Sequence, residues 1–227
     1  SFQRAAYLEL AKIACMKRDY PRALEMVRNA LDVAARSSKA HTLKAYVLRK
    51  LGQKEEAAAA LDRALELDPL DVWSVAERCF LEGRGKSALQ TMERNRGDKL
   101  QQLLETTTDY GNLGAVDEAL AILSSAETAG GPYASPLVKY YAGYYQLQIG
   151  KTDEARTLFG QAAAMPTDYC FPFRHEELKV LSAAAELRPA DANTWYYLGN
   201  LCYYLDQRAR GVAAWEQAVA LQPSPPL

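Results

Sequence analysis

The chain has 227 residues, of which 49% are hydrophobic, and 27 basic and 28 acidic side chains leave a formal net charge of -1. This balance argues against a nucleic-acid or membrane-surface protein, because those partners demand a strong basic excess. The sequence has no run of about 18 apolar residues, so it predicts no membrane-spanning segment. Its four cysteines form no CxxC pair, which predicts no metal site. Cys15, Cys79 and Cys202 lie in or beside apolar stripes, which predicts small buried thiols in a reducing, cytoplasmic compartment.

The N-terminal half divides into helix pairs in which apolar residues recur at helical spacing. The first two pairs cover residues 4–37 and 38–69, offset by 34 residues. The next two, residues 70–94 and 100–128, follow at steps of 31 residues, so we expect a shorter connection and tilted helices there. In the second pair Leu43 and Val47 are expected to do most of the packing.

The C-terminal half contains the clearest break in the pattern, Ala129 to Pro132. A further pair at residues 134–165 follows it, so we predict that the whole chain is one domain. Residues 166–174 contain two prolines and no helical period, and a partial unit at residues 174–189 supplies one helix. One repeat is therefore expected to have exchanged its first helix for an ordered loop. The last pair covers residues 192–225.

This last pair has the most complete pattern. The inner face of its first helix carries Trp195, Leu198, Gly199 and Cys202, and the second helix carries Gly211, Trp215 and Ala218 before the stop at Pro223. The pattern resembles the tetratricopeptide repeat, which has Trp, Leu, Gly, Tyr, Ala, Phe, Ala and Pro at set positions over about 34 residues. The resemblance implies an all-α fold, a right-handed α-solenoid of about thirteen helices in antiparallel pairs.

Short sequence segments indicate a particular group within this family. Asp68 to Trp73 (DPLDVW) and Asp168 to Asn200 (DYCFPFR, a helix, then YYLGN), with the 31-residue steps, are similar to the repeat segment of large bacterial proteins that also carry an uncharacterised β-rich domain. That domain is suspected of carbohydrate-related work. The resemblance therefore implies, as an alternative function, an accessory segment of a carbohydrate-active enzyme. The abrupt start and the final PSPPL suggest an excised fragment.

Motifs that could perform catalysis have simpler structural interpretations. Gly83 to Ser87 (GRGKS) ends like a P-loop, but Phe80 stands where that motif needs glycine. His175 begins HEE, but Lys179 replaces the second histidine of a zinc-protease motif. The tripeptide at residues 96–98 (RGD) is interpreted as a helix cap. We therefore predict no enzyme, no cofactor and no metal.

Three carboxylate pairs recur at the same repeat position, in the first turn of a second helix, where they complement the helix dipole. They are Glu55-Glu56, Asp117-Glu118 and Asp153-Glu154. Recurrence at one structural position indicates architecture rather than catalysis.

The remaining signal is aromatic. In the family, the first helices line a concave surface, and the residues predicted to line a partner-binding groove are Tyr46, Trp73, Phe80, Tyr140, Tyr144, Tyr196, Asn200 and Tyr203. Tyrosine gives a large contact area and a hydroxyl for hydrogen bonding. The alternative is that these rings pack between adjacent units. The peptide-carboxylate clamp of chaperone-binding relatives is not expected, because Leu8 and Lys12 occupy its positions.

The predicted function is a non-catalytic scaffold that binds a protein or peptide segment, or another domain of its own polypeptide, through this aromatic groove. No nucleic acid and no membrane are expected as partners. Self-association through the ends of the solenoid is a further expectation.

Overall fold

A computed structural model describes residues 2–92, 98–168 and 170–222. These residues form thirteen α-helices and two short 3-10 helices, without a β-strand among them. The prediction of an all-α fold with about thirteen helices is confirmed. The chain divides into two compact units, Ser1–Ser125 and Ala126–Leu227. The predicted residues 93, 94 and 223–225, including the stop at Pro223, lie outside the described part.

Unit 1 contains four helix pairs, and α8 ends just beyond it. Its helices are α1 Phe2–Met16, α2 Tyr20–Val33, α3 Ser38–Lys50, α4 Lys54–Leu67, α5 Val72–Leu81, α6 Ala88–Met92, α7 Lys99–Gly111 and α8 Val116–Ala129. In the third pair, α6 follows a 3-10 turn at Gly85–Ser87 and is described as far as Met92.

Unit 2 contains two complete pairs with a single helix between them. After a 3-10 turn at Gly131–Tyr133, its helices are α9 Pro136–Gln148, α10 Thr152–Ala163, α11 His175–Leu187, α12 Ala192–Tyr204 and α13 Arg208–Leu221. The described residues between α10 and α11 hold no helix, which matches the predicted loss of a first helix.

Short turns join the two helices of a pair and reverse the chain. At the end of α3, Gly52 has φ 79°, its N–H bonds to the Arg49 carbonyl at 3.0 Å, and the Gln53 N–H bonds to the Leu48 carbonyl at 2.9 Å. This is a Schellman ending, which favours glycine because a side chain is strained at positive φ. The same backbone geometry recurs at Gly150, with φ 79°.

Close contact between paired helices depends on small residues facing large ones. A Cβ at Gly199 would lie 2.3 Å from Cδ1 of Trp215, and one at Gly143 would lie 2.6 Å from Cε1 of Phe159. The ring of each second helix therefore rests on the backbone of the first helix. This explains why the repeat pattern pairs glycine with an aromatic residue.

A buried carboxylate orders the loop that precedes α11. The Glu177 side chain is fully buried and accepts hydrogen bonds from the N–H groups of Phe173 at 2.7 Å and Arg174 at 3.0 Å. It thus satisfies donors at the helix N-terminus that would otherwise lack partners. The predicted ordered loop before this helix is present in the described residues.

Candidate binding site

The groove residues predicted in unit 1 lie in a packed aromatic cluster. Tyr46 is 1% exposed and Trp73 is 5% exposed, and both pack against Tyr110 of α7, with ring centroids 6.4 and 6.3 Å away. The half-buried Phe80 packs on the same ring at 5.4 Å. Tyr46 and Trp73 are therefore buried under a ring from the fourth helix pair, as the alternative of packing between units expects, whereas Phe80 keeps part of its surface.

A buried charge network lies beside this cluster. Arg49 of α3 donates to Glu77 of α5 at 2.5 and 3.1 Å, and to Glu118 of α8 at 3.0 Å. Lys50 also reaches Glu118, at 2.5 Å, and the Tyr110 hydroxyl donates to Glu77 at 2.9 Å. Each buried carboxylate thus has cationic and hydrogen-bonding partners, as buried charges require. The network connects α3, α5, α7 and α8 within unit 1.

The pKa values of the two carboxyls shift in opposite directions. Burial raises the pKa of Glu77, although hydrogen bonds from Arg49 and Tyr110 oppose the shift. Burial also acts to raise the pKa of Glu118, but the hydrogen bonds and charges of Lys50 and Arg49 outweigh it and lower that pKa. Glu118 is therefore more than the helix-dipole residue that the sequence predicted.

Tyr140 in unit 2 is a core residue as well. It is 0% exposed, its hydroxyl lies 2.9 Å from Thr194 Oγ1, and its ring centroid lies 6.0 Å from that of Tyr197 and 6.2 Å from that of Phe159. Its position likewise agrees with the alternative of packing between units, because it joins α9 to α12. Tyr144 remains half-buried, with the Lys179 ammonium 5.9 Å from its ring centroid.

The other predicted residues of unit 2 lie at or beside an open cleft on the α12–α13 pair, with a volume of about 430 Å³. Its lining consists of Thr167, Ala192, Asn193, Tyr196, Asn200, Trp215, Ala218, Val219 and Gln222. None of these nine residues carries a formal charge. The structure thus brings Tyr196 and Asn200 together, and adds Trp215, which the sequence placed only on an inner helix face.

The wall of this α12–α13 cleft is held in a defined geometry. The Trp215 indole N–H donates to Asn200 Oδ1 at 3.0 Å, and the backbone of Gly199 supports the ring. The Tyr203 ring packs on Trp215 with centroids 5.2 Å apart, so Tyr203 supports the wall without lining the cleft. Tyr196 is 42% exposed, which leaves an aromatic surface accessible at the cleft.

The cleft lies where the segment without a helix passes the last pair. Thr167 of that segment lines it, and the Asn193 amide donates to the Ala163 carbonyl at 2.7 Å, which fixes α12 against the end of α10. A first helix of a regular repeat would begin in this part of the chain. The cleft therefore lies in the part of the chain from which this first helix is missing.

The residues of the three motifs considered for catalysis lie in turns or at the starts of helices. Gly83 has φ 71° in a turn that leads into the 3-10 helix, and a helix precedes it rather than the strand a P-loop needs. His175 is the first residue of α11. Residues 96 and 97 of the RGD tripeptide lie outside the described part, whereas Asp98 caps α7 by accepting from the Gln101 N–H at 2.9 Å. Within the described ranges, no three His, Cys, Asp or Glu residues are grouped to hold a metal ion.

The helices are also unsuited to crossing a membrane. Across the described parts of the chain, every helix is too short or too polar to span a bilayer.

Comparison with known proteins supports the repeat pattern. Residues 5–72 match the family described as tetratricopeptide repeat. This confirms the resemblance to that superfamily, whose repeats generally mediate protein–protein interaction. The resemblance to the bacterial group with a β-rich domain stays a prediction. No curated protein matches the chain.

Solved structures with similar folds are distant in sequence. A thermophilic tetratricopeptide-repeat protein of Thermus thermophilus, TTC0263, is 19% identical over 81% of this chain and 98% of its own, with a TM-score of 0.40. PilW, a type IV pilus biogenesis factor, is 15% identical over 98% and 94%, with a TM-score of 0.40. YrrB, described as having an unusual peptide-binding site, is 18% identical over 88% and 94%, with a TM-score of 0.30. No functional argument rests on these similarities.

Proposed function

We propose that the chain is a non-catalytic scaffold that binds a protein segment, from a partner or from its own polypeptide, in the α12–α13 cleft. The observation that carries the proposal is the combination of Tyr196, Asn200 and Trp215 at one uncharged cleft. Ligand sites are typically concave, mostly apolar, and equipped with a few polar groups that set orientation. The volume of about 430 Å³ falls in the usual range of about 300–1,000 Å³ for such sites.

The cleft has the properties expected of a preformed recognition surface. Trp215 and Asn200 fix each other through their hydrogen bond, so they lose little conformational entropy on binding. The exposed ring of Tyr196 provides contact area with only two rotatable side-chain bonds. Tyrosine and tryptophan are also enriched among the residues that dominate binding energy.

The proposed site includes fewer residues than the groove predicted from the sequence. Tyr196 and Asn200 remain contact residues, Tyr203 becomes a support, and Tyr144 lies outside the cleft lining. Contact by the buried Tyr46 or Tyr140 would require displacement of core packing. The proposal includes a cytoplasmic location, which is supported by four buried cysteine thiols.

The experiment is selection of peptides from a random phage-displayed library on the full chain, followed by affinity measurements against variants. Selected peptides should bind at least about tenfold more weakly to Tyr196→Ala, a loss typical of an interface hot spot. Tyr204→Ala is the matched control, because Tyr204 is on the same helix and 67% exposed but does not line the cleft. Peptides that bind both variants as tightly as the wild type would refute this site.

A further inference from the structure

We propose that the ligand of the α12–α13 cleft is an uncharged, proline-rich segment in the extended polyproline II conformation. This inference rests on the proposed function of the cleft and names the chemical class of its partner. Four features support it: the neutral lining, the hydrogen-bonding group of Asn200, the aromatic side chains, and a second cleft that adjoins the first.

The absence of charged residues from the cleft lining favours an uncharged partner. All nine lining residues are neutral. An adjoining cleft contains a charged pair, in which Arg188 Nε contacts Asp191 Oδ2 at 2.5 Å. Because these two charges satisfy each other, neither requires a counter-charge from a ligand. A charged segment would lose hydration in this cleft without gaining an ion pair.

The hydrogen bond between Trp215 and Asn200 determines which end of the amide remains for a ligand. An indole N–H is only a donor, so it must face the amide oxygen. The NH₂ end of Asn200 is then the donor at the cleft wall. Proline has no N–H, and a polyproline II segment forms no internal hydrogen bonds, so its carbonyl oxygens require outside donors. The Asn200 amide supplies a donor of this kind.

The aromatic lining suits the rings of proline. Tyr196 exposes its ring at the cleft, and Trp215 is held by Gly199 behind it and by Tyr203 beside it. Grooves lined by aromatic side chains bind polyproline II segments, because the preformed helix loses little entropy and its rings pack flat against them. The rigid Trp215 and the exposed Tyr196 provide two such surfaces.

The shape of the site favours an extended ligand over a compact one. A second cleft of about 400 Å³ shares Ala192, Asn193 and Gln222 with the first. The two clefts therefore adjoin at these three residues, and a ligand that occupies both must be extended. A polyproline II segment advances about 3.1 Å per residue and needs a long, open track of this kind. A compact small molecule would use only one of the two parts.

The test uses the full chain and a fluorescein-labelled decaproline peptide, with fluorescence anisotropy as the readout. A decapeptide of Gly and Ser controls for an uncharged chain without polyproline structure. A decapeptide of Glu, Ala and Lys controls for a charged helix. We expect decaproline to bind at least about tenfold more tightly than either control, because its preformed helix loses less entropy on binding and its rings can pack on Tyr196 and Trp215.

The variants locate the site. Asn200→Asp keeps the oxygen that accepts from Trp215 and removes the NH₂ donor, so decaproline should bind about tenfold more weakly to it. Tyr196→Ala should have a similar effect, and Tyr204→Ala should have none. Circular dichroism and urea unfolding establish that each variant is folded. Tyr196 is exposed, so its variant tests the site even if Asn200→Asp unfolds.

The outcomes separate this inference from the proposed function. If library-selected peptides bind at Tyr196 but decaproline does not, the polyproline class is wrong and the binding function stands. Equal binding of decaproline to the wild type and both cleft variants would overturn the site.

Discussion

Removal of the Arg49 guanidinium tests whether the buried charge network holds unit 1 together. The Arg49→Met substitution keeps the aliphatic stem and deletes two hydrogen bonds to Glu77, at 2.5 and 3.1 Å. The Glu77 side chain is 0% exposed, so its charge would be left with the Tyr110 hydroxyl as a donor. We expect a loss of about 3–5 kcal/mol in the free energy of unfolding, the usual cost of breaking a buried ion pair.

The magnitude follows from the geometry. A hydrogen bond to a charged group contributes about 1.5–3 kcal/mol, and two are lost at Glu77. Glu118 loses a bond of 3.0 Å but keeps Lys50 at 2.5 Å, so it should add little. Cation–π contacts of Arg49 with Tyr46 and Phe80, at 5.4 and 5.6 Å, contribute about 0.5–1 kcal/mol each. A domain is stable by only about 5–15 kcal/mol, so the effect is large.

The assay is urea unfolding followed by circular dichroism, applied to a double-mutant cycle. Arg49→Met with Glu77→Leu removes both charges, so the double variant should recover at least about 2 kcal/mol relative to the sum of the two single effects. Arg22→Met is the control, because its partner Glu25 is equally exposed and the pair should contribute at most about 1 kcal/mol. A loss below about 1 kcal/mol for Arg49→Met, or strict additivity in the cycle, would refute the reasoning.

Acid sensitivity, cleft geometry and thiol reactivity supply three further tests. Because folding lowers the pKa of Glu118, its ionised carboxylate stabilises the fold above its ordinary pKa of 4.5, and this stability is lost as the pH falls through the pKa of the folded state. The urea midpoint should therefore fall less between about pH 6 and pH 4 in Glu118→Gln than in the wild type. Gly199→Ala should displace Trp215, lower stability by about 1–3 kcal/mol and weaken peptide binding, and unchanged tryptophan fluorescence would contradict this. Burial raises the pKa of Cys15 to about 12, so its thiol should react with a disulfide reagent only on unfolding, whereas rapid reaction in native buffer would exclude this burial.

The helix pairs and their small-residue contacts could be predicted because they depend on local spacing. Apolar residues at helical intervals located the helices, and Leu43 and Val47 are buried as expected. The prediction that Cys15, Cys79 and Cys202 are small buried residues is also confirmed, and Cys170 is buried as well. Such periodicity predicts which residues pack against neighbours that are close in sequence.

The face on which a partner could bind was harder to predict. Helical register shows which residues point to the concave side, but not whether another helix covers them. Tyr46 and Trp73 are covered by Tyr110 of a later pair. The Arg49–Glu77 pair could not be recognised either, because its members lie 28 residues apart on different helices. Its only local signal was Glu77 within an otherwise apolar stripe.

The bond between Arg49 and Glu118 has a consequence for how unit 1 folds. In an ideal repeat array each pair contacts only its neighbours, so the ends can fray while the middle persists. Here the second and fourth pairs are joined directly across 69 residues of sequence. The fourth pair cannot detach without leaving charges unpaired in the second. The second, third and fourth pairs should accordingly unfold as one cooperative block, and native-state hydrogen exchange should show α3, α5 and α8 opening together.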